Sequence, residues 1–233
     1  HRQLVCAGNG LMSGRSKLLC WEIGCIVWIA MAGSLLHFAF ELSEYWRPMA
    51  VMAAVNESAW EHTKMYFWPG LLFALVQYTY TRKLANNYWF GKVVALALTP
   101  LLILVVYFSY LEYVDFSGVK PSLPVMLTIM ITGIAAGQLA SWLILCARPL
   151  HGITKSQVAA GYAVLVLAFS SLTYFPPRVF VFENFYCYQY TGEYGILDNY
   201  EPYRVFYKGE RPGGGVNYCA TLAQQATSAN NRP

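Results

Sequence analysis

The most polar stretch of the sequence lies between two long apolar runs. Residues 55–64 read VNESAWEHTK, with two glutamates, a histidine, a lysine and an asparagine among ten residues. On a helix, Glu57, Trp60, Glu61 and Lys64 would share one face, because they are spaced i, i+3, i+4 and i+7. Ionisable groups gathered in this way are what metal binding or general acid–base chemistry requires.

A second pair of ionisable residues lies in the apolar run before this motif. His37 and Glu41 are four residues apart, so a helix would point both the same way. An ionisable side chain within an apolar span is by default a functional-site hypothesis. As acid–base and substrate-binding groups we therefore predict His37, Glu57, Glu61, His62 and Lys64, the lysine serving a substrate phosphate. As ligands of a divalent metal ion, the only cofactor indicated, we predict His37, Glu41, Glu61 and His62.

Helix capping explains part of the motif without any chemistry. Residues 58–61 fit the capping box S-x-x-E, in which Ser58 accepts the amide of Glu61 and Glu61 reaches back to the amide of Ser58. Asn56 and Ser58 are therefore assigned to the structural start of a helix. Glu61 and His62 would lie about 100° apart on that helix, so both cannot point straight at one ion. A metal or catalytic site, a structural polar network and a transport or recognition site all stay open.

The composition indicates a membrane protein. Of 233 residues, 57% are hydrophobic and only 12% are charged, whereas soluble domains average about 25% charged residues. The net charge of +4 comes from lysines and arginines that stand singly between apolar runs. Since no basic stripe exists, we expect no nucleic-acid partner; membrane lipids are the expected partners, and no protein partner is indicated.

Five apolar segments predict an all-α, polytopic transmembrane helical bundle, because crossing the hydrocarbon takes about 20 helical residues. They span residues 18–40, 65–80, 93–111, 123–147 and 158–175. The glycines of the GxxxG at 133–137 predict close helix packing within the chain rather than dimerisation. The corresponding division is an N-terminal extension (1–17), a helical domain (18–175), an aromatic-rich extracytoplasmic tail (176–208) and a C-terminus expected to be disordered (209–233). Residues 1–11 precede Met12, which reads as a native start.

The distribution of basic residues predicts the orientation in a plasma membrane. Three regions carry the excess of lysine and arginine: the N-terminus, the loop after the second segment and the loop after the fourth (Arg15, Lys17, Arg82, Lys83, Lys92, Arg148, Lys155). The N-terminus should then be cytoplasmic, and VNESAWEHTK and the tail should face outward. Thr191-Gly192 predicts a turn in that tail, which would form a short hairpin or an irregular cap. Cys187 and Cys219 could pair if the compartment is oxidising.

At these residues the chain resembles a known family. NESAWEHTK at 56–64, followed by FWP at 67–69, resembles the hallmark of prokaryotic multi-pass membrane proteins grouped as domain of unknown function 6512. SLLHF at 34–38, FPP at 175–177 and TGEYGI at 191–196 are also similar to the family. The resemblance covers about residues 18–197. It departs at Glu183-Asn184, where the family has aspartate-proline, and the chain runs on past the family's end.

The resemblance implies a helical integral membrane protein, of the prokaryotic plasma membrane, and no particular reaction. From the residues we predict that the NESAWEHTK motif starts the second helix and packs a polar network at the outer membrane face, in a structural, binding or transport role. The alternative is a membrane-embedded, metal-dependent hydrolase acting on a lipid-linked or amphiphilic substrate. Whether the protein is an enzyme stays open on the sequence.

Overall fold

The computed structural model describes residues 13–206. These residues form five α-helices followed by one β-hairpin. The helices are α1 (Gly14–Leu42), α2 (Ala59–Thr81), α3 (Tyr88–Ser117), α4 (Leu123–Cys146) and α5 (Lys155–Ser171), and the strands are β1 (Glu183–Tyr186) and β2 (Gln189–Tyr194). The all-α fold class is thereby confirmed. The proposed N-terminal extension and disordered C-terminus lie largely outside the described residues, and the division into domains stays a prediction.

The surface of the bundle is apolar, as a lipid environment requires. On α1, side chains four residues apart form a stripe that is 51–70% exposed, consisting of Ile23, Val27, Met31 and Leu35. The opposite face of α1 is buried and carries Leu18, Glu22, Cys25 and Ile29. Water would penalise so large an apolar stripe, whereas hydrocarbon does not. The polar groups are turned inward and the apolar ones outward, which is the arrangement of a membrane protein.

Three helices of the described chain, α1, α3 and α4, are long and apolar enough to cross a membrane. Of the other two, α5 has 17 residues, fewer than the roughly 20 needed to cross the hydrocarbon without thinning it. α2 has 23 residues but begins with the polar motif. The prediction of five spans therefore stays a prediction, while a helical membrane protein with three candidate spans is established.

Small residues bring α3 and α4 together. A methyl group on Gly133 would overlap the side chain of Ile103, and one on Gly137 would overlap the Thr99 hydroxyl and lie 3.2 Å from the carbonyl oxygen of Ala95. The GxxxG motif thus packs against a neighbouring helix of the same chain, as expected for small residues at a helix–helix contact. Lys92, which the orientation argument counted among the residues of the loop after the second apolar segment, lies inside α3 and is buried.

The tail folds back on the end of the bundle as a hairpin. β1 and β2 pair antiparallel, with Tyr186 opposite Gln189, so the turn lies at Cys187 and Tyr188. Both of these residues have positive φ, 53° and 63°, as a two-residue hairpin turn of the I′ type requires. The turn expected at Thr191-Gly192 is wrong, because Gly192 lies inside β2, where the register shifts and its φ of 77° accommodates the irregularity.

Candidate metal centre

The motif starts α2, and its first residues tie that helix to the tail. Ser58 caps the helix by accepting the amide of Glu61 at 3.3 Å. The amide of Ser58 donates to Asn56 Oδ1 at 2.8 Å instead of to the Glu61 carboxylate that the capping box predicts. Asn56 in turn donates from Nδ2 to the carbonyl oxygen of Gly195, also at 2.8 Å. Asn56 therefore connects the helix start to the end of the hairpin, and Glu61 is left for another partner.

That partner is Lys64, and the pair is fully enclosed. Lys64 Nζ lies 2.6 Å from Glu61 Oε2 and donates to the carbonyl oxygen of Ala50 at 2.7 Å and to Thr173 Oγ1 at 2.8 Å. The Thr173 hydroxyl donates to Glu61 Oε1 at 2.7 Å, and the amide of Val55 donates to Glu61 Oε2 at 3.1 Å. Every charge is matched within the protein. Glu61 and Lys64 thus lie in a closed network that joins α2 to the residues before it and after α5.

The remaining ionisable residues of the motif turn the other way and meet the histidine of α1. His62 Nε2 lies 3.4 Å from Glu57 Oε2, and His37 Nε2 lies 3.9 Å from Glu57 Oε1. The two imidazole rings are edge to face, with centroids 5.1 Å apart. One ligand atom from each of the three residues lies within 4.8 Å of the others. We call His37, Glu57 and His62 the His–Glu–His cluster.

The hydrogen bond of His62 prepares its ring to bind a metal ion. Nδ1 lies 2.8 Å from the carbonyl oxygen of Ser58, and because a carbonyl can only accept, Nδ1 carries the proton. In the neutral ring the lone pair is then on Nε2, the atom that faces Glu57; in the protonated ring Nε2 instead donates to the Glu57 carboxylate, and a metal ion would replace that proton. Metal-binding histidines characteristically donate their second ring N–H to a backbone carbonyl or carboxylate, which sets the tautomer and the ring orientation. The same bond runs from residue 62 to residue 58, so the helix start itself positions the ligand.

The spacing of the cluster suits a first-row divalent ion. Bonds of about 2.0–2.1 Å in tetrahedral geometry place neighbouring ligand atoms roughly 3.3 Å apart. The contact between His62 and Glu57 is close to this length, whereas His37 lies 3.9 Å from the other carboxylate oxygen of Glu57 and has to move closer to both partners to share an ion. Three protein ligands leave one position open, as in catalytic rather than structural zinc sites. The cluster thus has the ligand atoms to hold an ion that also binds a further ligand.

Glu57 is held in place through its backbone. Its amide donates to Asn184 Oδ1 at 3.0 Å, and Asn184 Nδ2 donates to Glu193 Oε2 at 3.1 Å. Burial alone would raise the pKa of the Glu57 carboxyl, but the hydrogen bond to His62 and the charges of His62 and His37 outweigh it and lower the pKa. The carboxylate therefore stays ionised, which is the form that a metal ion binds.

Glu41 faces a different partner from the one predicted. Its carboxylate accepts the backbone amides of Val205 and Phe206 and lies 3.8 Å from the guanidinium of Arg204. We call residues 198–206 the C-terminal strap. Glu41 anchors this strap to the end of α1, one turn beyond His37, and the structure does not bring it into the His–Glu–His cluster.

A cavity of about 150 Å³ adjoins the cluster. His37 and Glu57 line it on one side, and the strap lines it on the other through Tyr200, Tyr203 and Val205. Asn56 and Asn184 also contribute to its wall. The position left open by three ligands has a polar space beside it in which a small molecule or part of a larger one can lie.

A second buried charged group lies farther along the bundle. Lys92 Nζ lies 2.7 and 2.8 Å from the two carboxylate oxygens of Glu22, and Gln77 Nε2 donates to the same carboxylate at 2.9 Å. All three are buried. The sequence marks both residues as unusual, since Glu22 interrupts an apolar run and Lys92 precedes one. Their spacing along the chain does not predict that they form an ion pair. Nor did local pattern identify Thr173 or Asn184, whose partners within the motif are more than 100 residues away.

The fold and the cluster define a class: a helical membrane protein with a two-histidine, one-carboxylate cluster at one end of its bundle. Residues 12–196 match the family of unknown function DUF6512, and the chain belongs to that family. The resemblance drawn from the motif is thus confirmed. No curated protein and no solved structure shows significant similarity to the chain.

Proposed function

We propose that this membrane protein binds a divalent transition-metal ion through His37, Glu57 and His62, and that the ion presents its open position to the adjoining cavity. The observation that carries the proposal is the orientation of His62: its Nδ1 donates to the Ser58 carbonyl while its Nε2 faces Glu57. Two imidazoles and a carboxylate suit zinc, iron(II), cobalt or nickel better than they suit magnesium or calcium, which prefer oxygen ligands.

The two halves of the motif have separate roles in this proposal. Asn56, Ser58, Glu61 and Lys64 build the structural network that fixes the start of α2. Glu57 and His62 project from that fixed start towards His37. This division accounts for why a capped helix and a metal site occupy the same ten residues.

A second candidate function is hydrolysis of an amphiphilic substrate, favoured by the cavity beside the open position. A bound divalent ion of this type lowers the pKa of a coordinated water to about 7 and polarises carbonyl or phosphoryl oxygens. Hydrolysis would add one water molecule across one ester or amide bond, giving an acid and an alcohol or amine. The cluster lies near the end of α1, where a substrate anchored in the membrane would present its polar part.

We place this end of the bundle on the extracytoplasmic side. The start of α1, the loops α2–α3 and α4–α5 and the first residue of α5 carry the basic residues Arg15, Lys17, Arg82, Lys83, Arg148 and Lys155, which favour the cytoplasm. Cys187, at the opposite end, is disulfide-bonded, which supports an oxidising compartment. Cys219, its predicted partner, lies outside the described residues. A cysteine introduced at position 83 should be labelled by a membrane-impermeant reagent only from the cytoplasmic side, and one at position 198 only from the outer side. The opposite result would reverse this assignment.

The metal proposal is tested by metal analysis of the purified full chain. Wild-type protein loaded with zinc or cobalt and desalted should retain about one ion per chain, and Co²⁺ should give the absorption spectrum of a low-coordinate nitrogen–oxygen site. His62→Ala, His37→Ala and Glu57→Gln should each lose at least tenfold in affinity. The matched control is His151→Ala, because His151 is exposed in the loop before α5. Equal metal retention by His62→Ala and His151→Ala would overturn the site.

A further inference from the structure

The wall of the cavity beside the metal centre is aromatic and acidic. Five aromatic side chains line it: Phe38, Phe40, Tyr45, Tyr200 and Tyr203. Two carboxylates, Glu41 and Glu57, line it as well, and no lysine or arginine of the described chain does so. Lys64, which the sequence analysis assigned to a substrate phosphate, is enclosed in the pair with Glu61. Residues 13–206 therefore give the cavity wall no cationic side chain of the kind with which proteins bind phosphate.

The rim of the cavity already holds one cation of the chain itself. The guanidinium of Arg204 lies 3.2 Å from Glu44, 3.5 Å from Glu201 and 3.8 Å from Glu41. It also lies over the ring of Tyr45, 5.9 Å from the centroid. Three carboxylates thus lie around this guanidinium at the rim. Carboxylates and aromatic faces attract the same kind of ligand, since a cation is stabilised by both.

The tyrosines contribute rings and neutral hydroxyls, not phenolates. Burial and the neighbouring Glu41 charge, opposed by Arg204, together raise the pKa of Tyr45 to about 12. Burial and the hydrogen bond to Glu193 likewise raise the pKa of Tyr203. At neutral pH both phenols are protonated. Their ring faces keep the negative quadrupole that attracts cations.

We propose that this cavity binds an alkylammonium group, such as the head group of a choline- or ethanolamine-bearing amphiphile. Its volume of about 150 Å³ is that of a cavity known to accept benzene, and a trimethylammonium group is no larger. As the substrate class of the metal centre, this inference rests on the proposed function; as a binding site it can be measured without metal. His37 and Glu41 are one helical turn apart, a rise of about 6 Å. An ammonium near Glu41 and Tyr45 would thus leave the next polar bond of the same head group near the metal ligands.

The test compares choline with its neutral isostere, 3,3-dimethyl-1-butanol, on the metal-free full chain in detergent. The two molecules have the same shape and differ in the positive charge. Isothermal titration calorimetry or saturation-transfer NMR should show choline binding at least tenfold more tightly. Equal binding of the two, or no binding of choline, would overturn the proposal. Inorganic phosphate added to the metal-free protein should leave choline binding unchanged.

Variants at Tyr45 locate the site. Tyr45→Leu should weaken choline at least fivefold, while Tyr45→Phe, which keeps the ring, should bind as the wild type does. Tyr113→Leu is the matched control, because Tyr113 is a 62% exposed tyrosine on α3. Tyr45 stacks on Tyr200 with centroids 4.4 Å apart, so Tyr45→Leu can also change the stability of the fold. Its choline affinity is interpreted only if the variant unfolds at the same temperature as the wild type; otherwise the comparison of choline with its isostere decides. If Tyr45→Phe weakened choline binding as much as or more than Tyr45→Leu, the contribution of the aromatic ring would be refuted.

The source of the ammonium group is resolved by the lipid. In phosphatidylcholine nanodiscs, membrane head groups would compete, so free choline should bind more weakly than in phosphatidylglycerol nanodiscs. Equal choline affinity in both would assign the site to a free amine. Failure here is distinguishable from failure of the metal centre: a protein that retains zinc but does not prefer choline refutes only the ligand class, and one that prefers choline without retaining zinc refutes only the metal.

Discussion

Replacing Lys64 by methionine removes the positive charge from the enclosed pair and leaves Glu61 buried without its counter-ion. Lys64 is 0% exposed and Glu61 is 2% exposed, so water cannot take over the three contacts of 2.6–2.8 Å that the ammonium makes. Breaking a buried ion pair from one side costs about 3–5 kcal/mol. For a chain of this size, about 1 kcal/mol corresponds to 2–4 °C in Tm. Lys64→Met should therefore lower Tm by roughly 6–20 °C.

The assay is thermal unfolding of the detergent-purified protein followed by tryptophan fluorescence. The matched control is Lys155→Met, because Lys155 is exposed at the start of α5; its unfolding free energy should change by less than about 0.5 kcal/mol. The double variant Lys64→Met, Glu61→Gln removes both charges. It should be less destabilised than the sum of the single variants, since neither charge is then left unpaired.

The same variant separates structure from chemistry. Lys64 contacts neither His37, Glu57 nor His62, so Lys64→Met should retain its metal ion at temperatures below its own unfolding. A loss of less than about 1 kcal/mol, or additive effects in the double variant, would refute the account of a coupled buried pair. If Lys64→Met lost metal affinity and kept its stability, Lys64 would be a functional residue, as the sequence analysis predicted.

Two further predictions concern helix packing and pH. Gly137→Ala should destabilise the protein by about 1–3 kcal/mol, because a methyl group there overlaps the hydroxyl of Thr99. Thermal unfolding measures the effect, and the control is Gly152→Ala, whose added methyl group meets nothing within 4 Å. Equal stability of the two variants would contradict the close contact between α3 and α4. As the pH is lowered, metal affinity should begin to fall above the ordinary imidazole pKa of about 6.5, because burial lowers the pKa of His62 less than the hydrogen bond and the charge of Glu57 raise it. The fall should reach up to 100-fold per pH unit where both imidazoles are protonated, because each must then release a proton to bind. Since the pKa of Glu57 is lowered from 4.5, its carboxylate is already ionised throughout that range and adds no third proton. Competition with a metal-binding dye measures the slope, and a limit of tenfold per unit or less would mean that only one histidine binds.

Local patterns were sufficient for the elements of this protein. The apolar runs predicted five helices, and residues 13–206 form five, because a helix satisfies its own backbone and is specified by one run of consecutive residues. Ser58 caps α2 by accepting the amide of Glu61, three residues further along the chain, as the sequence pattern predicts. Glu61 and His62 diverge because adjacent residues on a helix point about 100° apart.

What the tertiary structure decided is which charges meet. The sequence places His37 and Glu41 on one helical face and cannot say that the first turns to Glu57 while the second holds residues 205 and 206. It offers Glu61 as a metal ligand, yet Thr173, more than 100 residues away, helps to enclose that carboxylate with Lys64. The same holds for the hairpin, whose turn at Cys187 and Tyr188 lacks the glycine that usually marks such a turn.

The physical reason is the range of the interactions involved. Helix formation and capping depend on groups within about four residues, so residue types and spacing determine them. A buried charge is tolerated only where its counter-ion and remaining hydrogen bonds are supplied, and in this chain they come from other helices and from the tail. By itself, the sequence determined a helical membrane protein with a polar, capped start to its second helix. Only the packing of α1, α2 and the tail separated the enclosed Glu61–Lys64 pair from the His–Glu–His cluster beside the cavity.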